Sequence, residues 1–231
     1  MPTISLEDKH LTVLNLFTTD APEKQESLIR EMRKIVDAAT YEGWMSSTVH
    51  AGVDSPGTAN FIQWRSGEDL EKRYSADEFK HRTLPVFGEI TTSIRLLQNE
   101  VVYTLAGPGP CGKIEIGPHR EVYTSITVYG VEAENQDELI DALGAGQAGI
   151  VDAPGFRAHV VLKGLRARGL EGSFVVSYFQ WDTKEAYEAH RDQDPETWPV
   201  GRQKAQARVD AVATSVDGNT YNVVHTRSAG E

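Results

Sequence analysis

Apolar residues recur along the chain at two spacings, one typical of strands and one typical of helices. In the first half, the predicted strands are 11–17, 44–51, 58–64 and 100–105. A helix is predicted after the start signal Asp20-Ala21-Pro22, where Leu28, Met32, Ile35 and Val36 repeat at helical spacing. A second helical stretch is predicted from about Gly67, interrupted at Pro85 and resuming to about Leu97. The predicted order is therefore β-α-β-β-α-β.

The same order recurs in the second half. Phe61-Ile62-Gln63-Trp64 returns as Tyr178-Phe179-Gln180-Trp181, and the segments before and after also align. The second copy has the longer central hairpin, Lys163 to Gly172 against Gly52 to Gly57. A Pro/Gly-rich linker separates the copies. The predicted domains are 9–106 and 120–228, joined by a linker at 107–119.

This order of elements is that of the ferredoxin-like split βαβ motif. In such a fold the helices cover one face of the sheet and leave the other bare. Two bare faces in tandem can pack together, which would explain the duplication. We therefore predict an α+β fold with two ferredoxin-like domains forming an intramolecular pseudo-dimeric α/β barrel, either as a monomer or as a homodimer.

The composition and net charge of the chain indicate which classes of binding partner to expect. Apolar residues make up 39% and charged residues 25%, as in ordinary globular proteins, and the net charge of −11 argues against nucleic acid as a partner. A single cysteine excludes an internal disulfide framework. No apolar run is long enough to cross a membrane, and the N-terminus does not resemble a signal peptide. We expect a cytoplasmic protein without a membrane partner.

Polar side chains stand among apolar neighbours on two predicted strands. Asn15 shares a face with Val13 and Phe17, and Asn60 shares a face with Ile62 and Trp64. A buried amide without a partner costs about 1–3 kcal/mol. Each asparagine is therefore either a core amide satisfied by the backbone or part of a site. His50, which alternates with Trp44, Ser46 and Thr48, is open to the same two interpretations.

Together these residues match a known pattern. The stretches Gly43 to Ala51 and Asn60 to Ser66, with Asn15 on the first strand, resemble the antibiotic biosynthesis monooxygenase family. The resemblance implies a ferredoxin-like fold that pairs into an α/β barrel. Its polyketide members oxidise anthrone-type substrates with O₂ and without metal, flavin or haem. It also implies four pocket residues, Asn15, Asn60, Trp64 and His50, although some relatives carry tyrosines where this chain has Val49 and Leu70.

The chemistry of an anthrone oxidase fits these residue types. Amide donors would stabilise the enolate of a polycyclic aromatic substrate, and His50 could accept its proton. O₂ is then the co-substrate, and neither a cofactor nor a metal is predicted. The candidate substrate-binding residues are Trp44, Phe61, Phe79, His81, Arg82 and Phe87. Arg82 could anchor a substrate carboxylate or phenolate, or form a surface ion pair. The charged run Glu68 to Arg73 is predicted to be a solvated helix face.

The second copy lacks the distinctive polar set. Thr127, Ser177 and Leu162 stand where the first copy has its two asparagines and its histidine, and only Trp181 is retained. We therefore predict that the second copy is degenerate and completes the barrel. The alternative is that both copies keep a working pocket.

Other functions of the same fold stay open. One is a non-catalytic protein that binds a ligand or assists cyclisation, and another is a general stress or quinone-forming protein. A third is a haem-degrading monooxygenase, with His81 or His50 as the axial ligand, although Thr83 stands at the position where those relatives ligate haem.

Overall fold

The architecture was determined from a computed structural model, which describes the chain except for residues 78, 80–83, 108–112 and 119–121. The strands are β1 Thr3–Ile4, β2 Leu11–Thr18, β3 Trp44–Gly52, β4 Gly57–Trp64, β5 Ser93–Ala106, β6 Ile114–Glu115, β7 Tyr123–Val131, β8 Phe156–Arg168, β9 Ser173–Trp181 and β10 Ala213–Ser228. The α-helices are α1 Pro22–Asp37, α2 Gly67–Ser75, α3 Leu84–Ile90, α4 Gln136–Leu143, α5 Lys184–Arg191 and α6 Val200–Val212. Within these described residues, no helix has the length and hydropathy needed to cross a membrane.

Eight strands form a closed antiparallel barrel in the order β10-β3-β4-β2-β5-β8-β9-β7. Strands β3, β4, β2 and β5 make one ferredoxin-like sheet, and β8, β9, β7 and β10 make a second sheet of the same internal order. The barrel closes where β5 pairs with β8 and where β10 pairs with β3. The predicted α+β barrel of two ferredoxin-like units is confirmed. The domain boundaries at 107–119 stay a prediction.

The barrel interior is an apolar core built from the inward-facing residues of both sheets. Leu14 and Phe61 from the first half meet Val160 and Tyr178 from the second half, and all four are fully or almost fully buried. The short β1–β6 pair adds Ile4 and other apolar residues to the same core. A second apolar cluster, which includes Val13, Phe17 and Trp64, packs between the other face of the first sheet and its helices.

The prediction of a helix continuing to about Leu97 is wrong. The helix α3 ends at Ile90, with a final hydrogen bond from the Thr91 amide to the Phe87 carbonyl (2.9 Å), and β5 begins at Ser93. Residues 93–99 pair in register with β2. Cross-strand pairing in the assembled sheet therefore decides the conformation of this segment, which its local pattern did not reveal.

Candidate functional site

The two asparagines are direct cross-strand neighbours. Asn15 on β2 pairs with Asn60 on β4, and Trp64 lies on the same face of β4 because side chains alternate along a strand. This face points away from the barrel interior, toward α1 and α2. The structure thus brings together three of the four predicted pocket residues, as the alternation indicated.

A cavity lies between this face and the helices, and Asn15, Asn60 and Trp64 all line it. Its apolar wall includes Phe17, Met32, Trp44, Leu70, Phe79 and Phe87. Among the described lining residues there is no carboxylate and no imidazole. The space measures about 70 Å³, less than the roughly 300–1,000 Å³ of a typical small-molecule site. Wall side chains must therefore turn aside for a polycyclic ligand to enter.

Several polar atoms at the cavity have unused hydrogen-bonding capacity. Within the described part of the chain, Oδ1 of Asn15, Oδ1 of Asn60 and Nε1 of Trp64 are buried and make no hydrogen bond. By contrast, the indole N–H of Trp44 is already used, because it donates to Oγ of Ser47 (3.0 Å). Unpaired buried polar groups are costly and rare. A ligand that supplies partners for these three atoms would therefore bind favourably here.

A buried tyrosine that the sequence reading did not select completes the polar side of the cavity. Burial raises the pKa of Tyr74 to about 12, whereas the nearby charge of Arg168 and the side chain of Asn15 act to lower that pKa. Tyr74 therefore stays a neutral phenol at neutral pH. It can donate a proton in a hydrogen bond but cannot act as a base there.

Helix α2 supplies a second feature that the sequence reading missed. The guanidinium of Arg73 lies 4.1 Å from the ring centroid of Tyr41 and 5.3 Å from that of Phe79. Phe79 in turn stacks on Tyr74 at 4.6 Å. Glu68 and Lys72 are exposed and form an i,i+4 ion pair, as predicted for a solvated face. Arg73 and Asp69 are buried, so the prediction is wrong for those two residues.

The spacing of Leu70, Arg73 and Tyr74 is the feature of the sequence that could have predicted this buried helix face. Residues at i, i+3 and i+4 share one face of a helix, and here all three line the cavity. The charged residues of the run favoured a solvated helix, so this buried face was not predicted.

The structure separates His50 from the other predicted pocket residues. Its side chain points into the barrel, where its ring nitrogens lie 3.1 Å from the Ala59 carbonyl oxygen and 3.0 Å from the Tyr178 hydroxyl. Burial lowers its pKa to about 4. The cause is a bulge between Trp44 and Ser46, which leaves Trp44 on the cavity face and turns the following alternation inward.

The predicted substrate-binding residues divide in the same way. Trp44, Phe79 and Phe87 line the cavity. Phe61 does not, because it belongs to the core of the barrel interior. Two further predicted residues lie outside the described part of the chain, namely His81 and Arg82.

The second half presents different chemistry at the matching positions. Thr127 pairs with Ser177 where the first half pairs its asparagines. Oγ of Ser177 is 2.8 Å from Nε2 of His159, and the His159 ring stacks on Phe179 at 3.8 Å. The hydroxyl of Ser177 is therefore already partnered, unlike the amide oxygens of the first half.

Comparison with known proteins adds the decisive observation. The family model described as antibiotic biosynthesis monooxygenase matches residues 122–195. A crystal structure of an anthrone oxidase-like protein is 70% identical, with a TM-score of 0.97, and the match covers 100% of this chain and 98% of that chain. The chain belongs to the antibiotic biosynthesis monooxygenase family. It is accordingly an oxidoreductase of the monooxygenase type.

A more distant structure shares the fold. A putative monooxygenase from Fusobacterium nucleatum is 12% identical, with a TM-score of 0.63 and 96% of this chain and 95% of that chain covered. SnoaB, described as a cofactor-independent oxygenase from Streptomyces nogalater, covers 48% of this chain and is itself covered over 99%, at 16% identity and a TM-score of 0.34. That likeness is too low to transfer a property to this family member. Among curated proteins the comparison found no match.

Proposed function

We propose that this family member is a cofactor-independent, O₂-dependent monooxygenase that oxidises an anthrone-type aromatic polyketide to a quinone. The observation that carries the proposal is the facing pair Asn15 and Asn60, whose side chains line an apolar cavity together with Trp64, an indole whose N–H has no partner among the described residues. The 70% identity to a protein described as anthrone oxidase-like supports the choice of substrate class.

The cavity wall has an aromatic part and a polar part, and each part contacts a different region of the substrate. Trp44, Phe79 and Phe87 offer aromatic surface to a flat polycycle. The substrate carbonyl oxygen then faces the amides and the indole N–H of Trp64. Within the described protein the indole N–H of Trp64 is buried without a partner, so no internal hydrogen bond has to break when it binds that oxygen.

The first chemical step is loss of a proton from the methylene carbon opposite the carbonyl. Negative charge moves onto the carbonyl oxygen, where fixed donors in a water-poor site stabilise it by roughly 2.7–4 kcal/mol each. The described lining offers no carboxylate or imidazole, and Tyr74 retains its proton at neutral pH. Of the groups that the structure describes, water at the mouth of the cavity is then the proton acceptor, and His50, which points into the barrel, takes no part.

The oxidation step uses the electrons of the substrate. The enolate transfers one electron to O₂, and the resulting radicals combine to form a C–O bond at the former methylene carbon. The peroxide formed there takes up a proton from water, and the hydroperoxide then loses its remaining C–H proton and hydroxide, which together make one water and leave a carbonyl. One O₂ is consumed for each quinone and each water formed, so the step requires no flavin, haem or metal.

Oxygen consumption tests this proposal directly. With metal-stripped protein and dithranol, we expect O₂ uptake above the non-enzymatic rate, one quinone per O₂, and no release of hydrogen peroxide. Adding catalase should leave the uptake unchanged. If dithranol binds but O₂ uptake stays at the background rate, the proposal fails. The protein is then a ligand-binding protein that does not catalyse the oxidation.

The indole N–H of Trp64 provides a second prediction. Replacing Trp64 with Phe keeps an aromatic ring but removes the donor, and a hydrogen bond to a charged oxygen contributes about 1.5–3 kcal/mol. We expect kcat to fall at least about tenfold with a small change in KM. Trp181→Phe, at the matching position of the second half, is the control and should leave kcat unchanged. An equal loss of kcat in both variants would show that the indole N–H of Trp64 does not act in the reaction.

A further inference from the structure

The long hairpin of the second half extends over the site of the first half. Strand β8 pairs with β5, and Arg168 at its end stands opposite Leu96. Directly opposed residues of an antiparallel pair share a face of the sheet. Leu96 packs in the same cluster as Trp64, Leu70 and Tyr74. Arg168 therefore lies on the cavity side of the barrel, although it comes from the other half of the chain.

Two arginines of this hairpin approach α2. The guanidinium of Arg168 lies 5.6 Å from the ring centroid of Tyr74, which lines the cavity. Arg166, two positions earlier on the same face, forms an ion pair with Glu71 at 3.3 Å. Arg166 is thus neutralised by its partner, whereas Arg168 makes no ion pair within the described residues.

The charge balance around Arg168 points to an anionic ligand. The chain as a whole carries a net charge of −11. Even so, the described cavity lining contains no carboxylate, Glu71 is paired with Arg166, and the guanidinium of Arg168 near Tyr74 makes no ion pair within the described residues. A guanidinium presents paired donors that match the two oxygens of a carboxylate. Arg168 therefore leaves a positive charge without a partner among the described residues at the edge of the cavity that faces α2.

We propose that Arg168 is a specificity-determining residue that selects aromatic substrates carrying a carboxylate at this edge. The inference rests on the proposed function, since it concerns the substrate of the same cavity. It also gives the second half a role in the reaction. The second half lacks the asparagine pair, but its longer hairpin brings the guanidinium of Arg168 to the edge of the cavity that faces α2.

Binding of unreactive quinones tests the proposal without turnover. The probes are anthraquinone-2-carboxylate and its neutral analogue anthraquinone-2-carboxamide, titrated by fluorescence quenching. Arg168→Ala should weaken binding of the carboxylate about tenfold and binding of the carboxamide less than twofold, while Arg168→Lys should fall between. The matched control removes the neighbouring ion pair without changing the local charge: the double variant Arg166→Gln with Glu71→Gln should change neither affinity.

Other outcomes overturn the inference. If Arg168→Ala weakens both probes equally, the residue acts by packing and not by charge selection. If neither affinity changes, or if the unaltered protein binds neither probe, Arg168 does not select the ligand. If charge-selective binding is found but no O₂ is consumed, the monooxygenase proposal fails and the role of Arg168 stands. With a carboxylated anthrone as substrate, Arg168→Ala should raise KM and leave kcat unchanged.

Discussion

Replacing Asn60 with Ala is expected to lower kcat by about 10²–10³, with less than a threefold change in substrate affinity. Removal of one preorganised donor from a comparable oxyanion site has an effect of this size. Affinity changes little because the aromatic walls provide most of the binding surface, whereas the amide acts on charge that develops during deprotonation. Steady-state O₂ consumption gives kcat, and quinone binding gives the affinity.

The chain contains its own control for this substitution. Thr127→Ala alters the second half at the position that matches Asn15, and it should leave kcat unchanged. Asn15→Ala should resemble Asn60→Ala, and the double variant should lose less than the product of the two effects because both amides face the same oxygen. Unaltered kcat in Asn60→Ala would remove the asparagine pair from the mechanism.

Acid is expected to destabilise the protein strongly between about pH 6.5 and pH 4. Burial lowers the pKa of His50 to about 4 and that of His159 to about 3, from the ordinary value of 6.5. In this window the unfolded chain binds protons that the folded chain does not. The free energy of unfolding therefore rises with pH, by up to about 1.4 kcal/mol per pH unit for each histidine, and the gain is complete above about pH 6.5.

Urea unfolding at a series of pH values measures this slope. His50→Leu is the informative variant, because Leu162 occupies the matching position in the second half. Its stability at pH 8 can differ from that of the unaltered protein, since Tyr178 loses a partner. Its slope below pH 6.5 should be smaller by up to about 1.4 kcal/mol per pH unit. An identical slope in the two proteins would show that His50 does not titrate with a lowered pKa.

The core of the candidate site was accessible from the sequence because strand alternation is a local property. Asn15, Asn60 and Trp64 stand on regular strands, so a strict period of two placed them on one face. The helical partners were harder to see. Arg73 is buried against Tyr41 and Phe79, and a charged residue in a charged run gives no local indication of such a contact.

The sequence alone therefore determined the duplication, the order of the elements and the face shared by the two asparagines. The tertiary structure decided what local periodicity does not encode. The bulge after Trp44 turned His50 into the barrel, and the pairing of β5 with β8 carried Arg168 to the site of the other half. Both results depend on contacts between strands that are distant in the chain, and such contacts form only when the barrel closes.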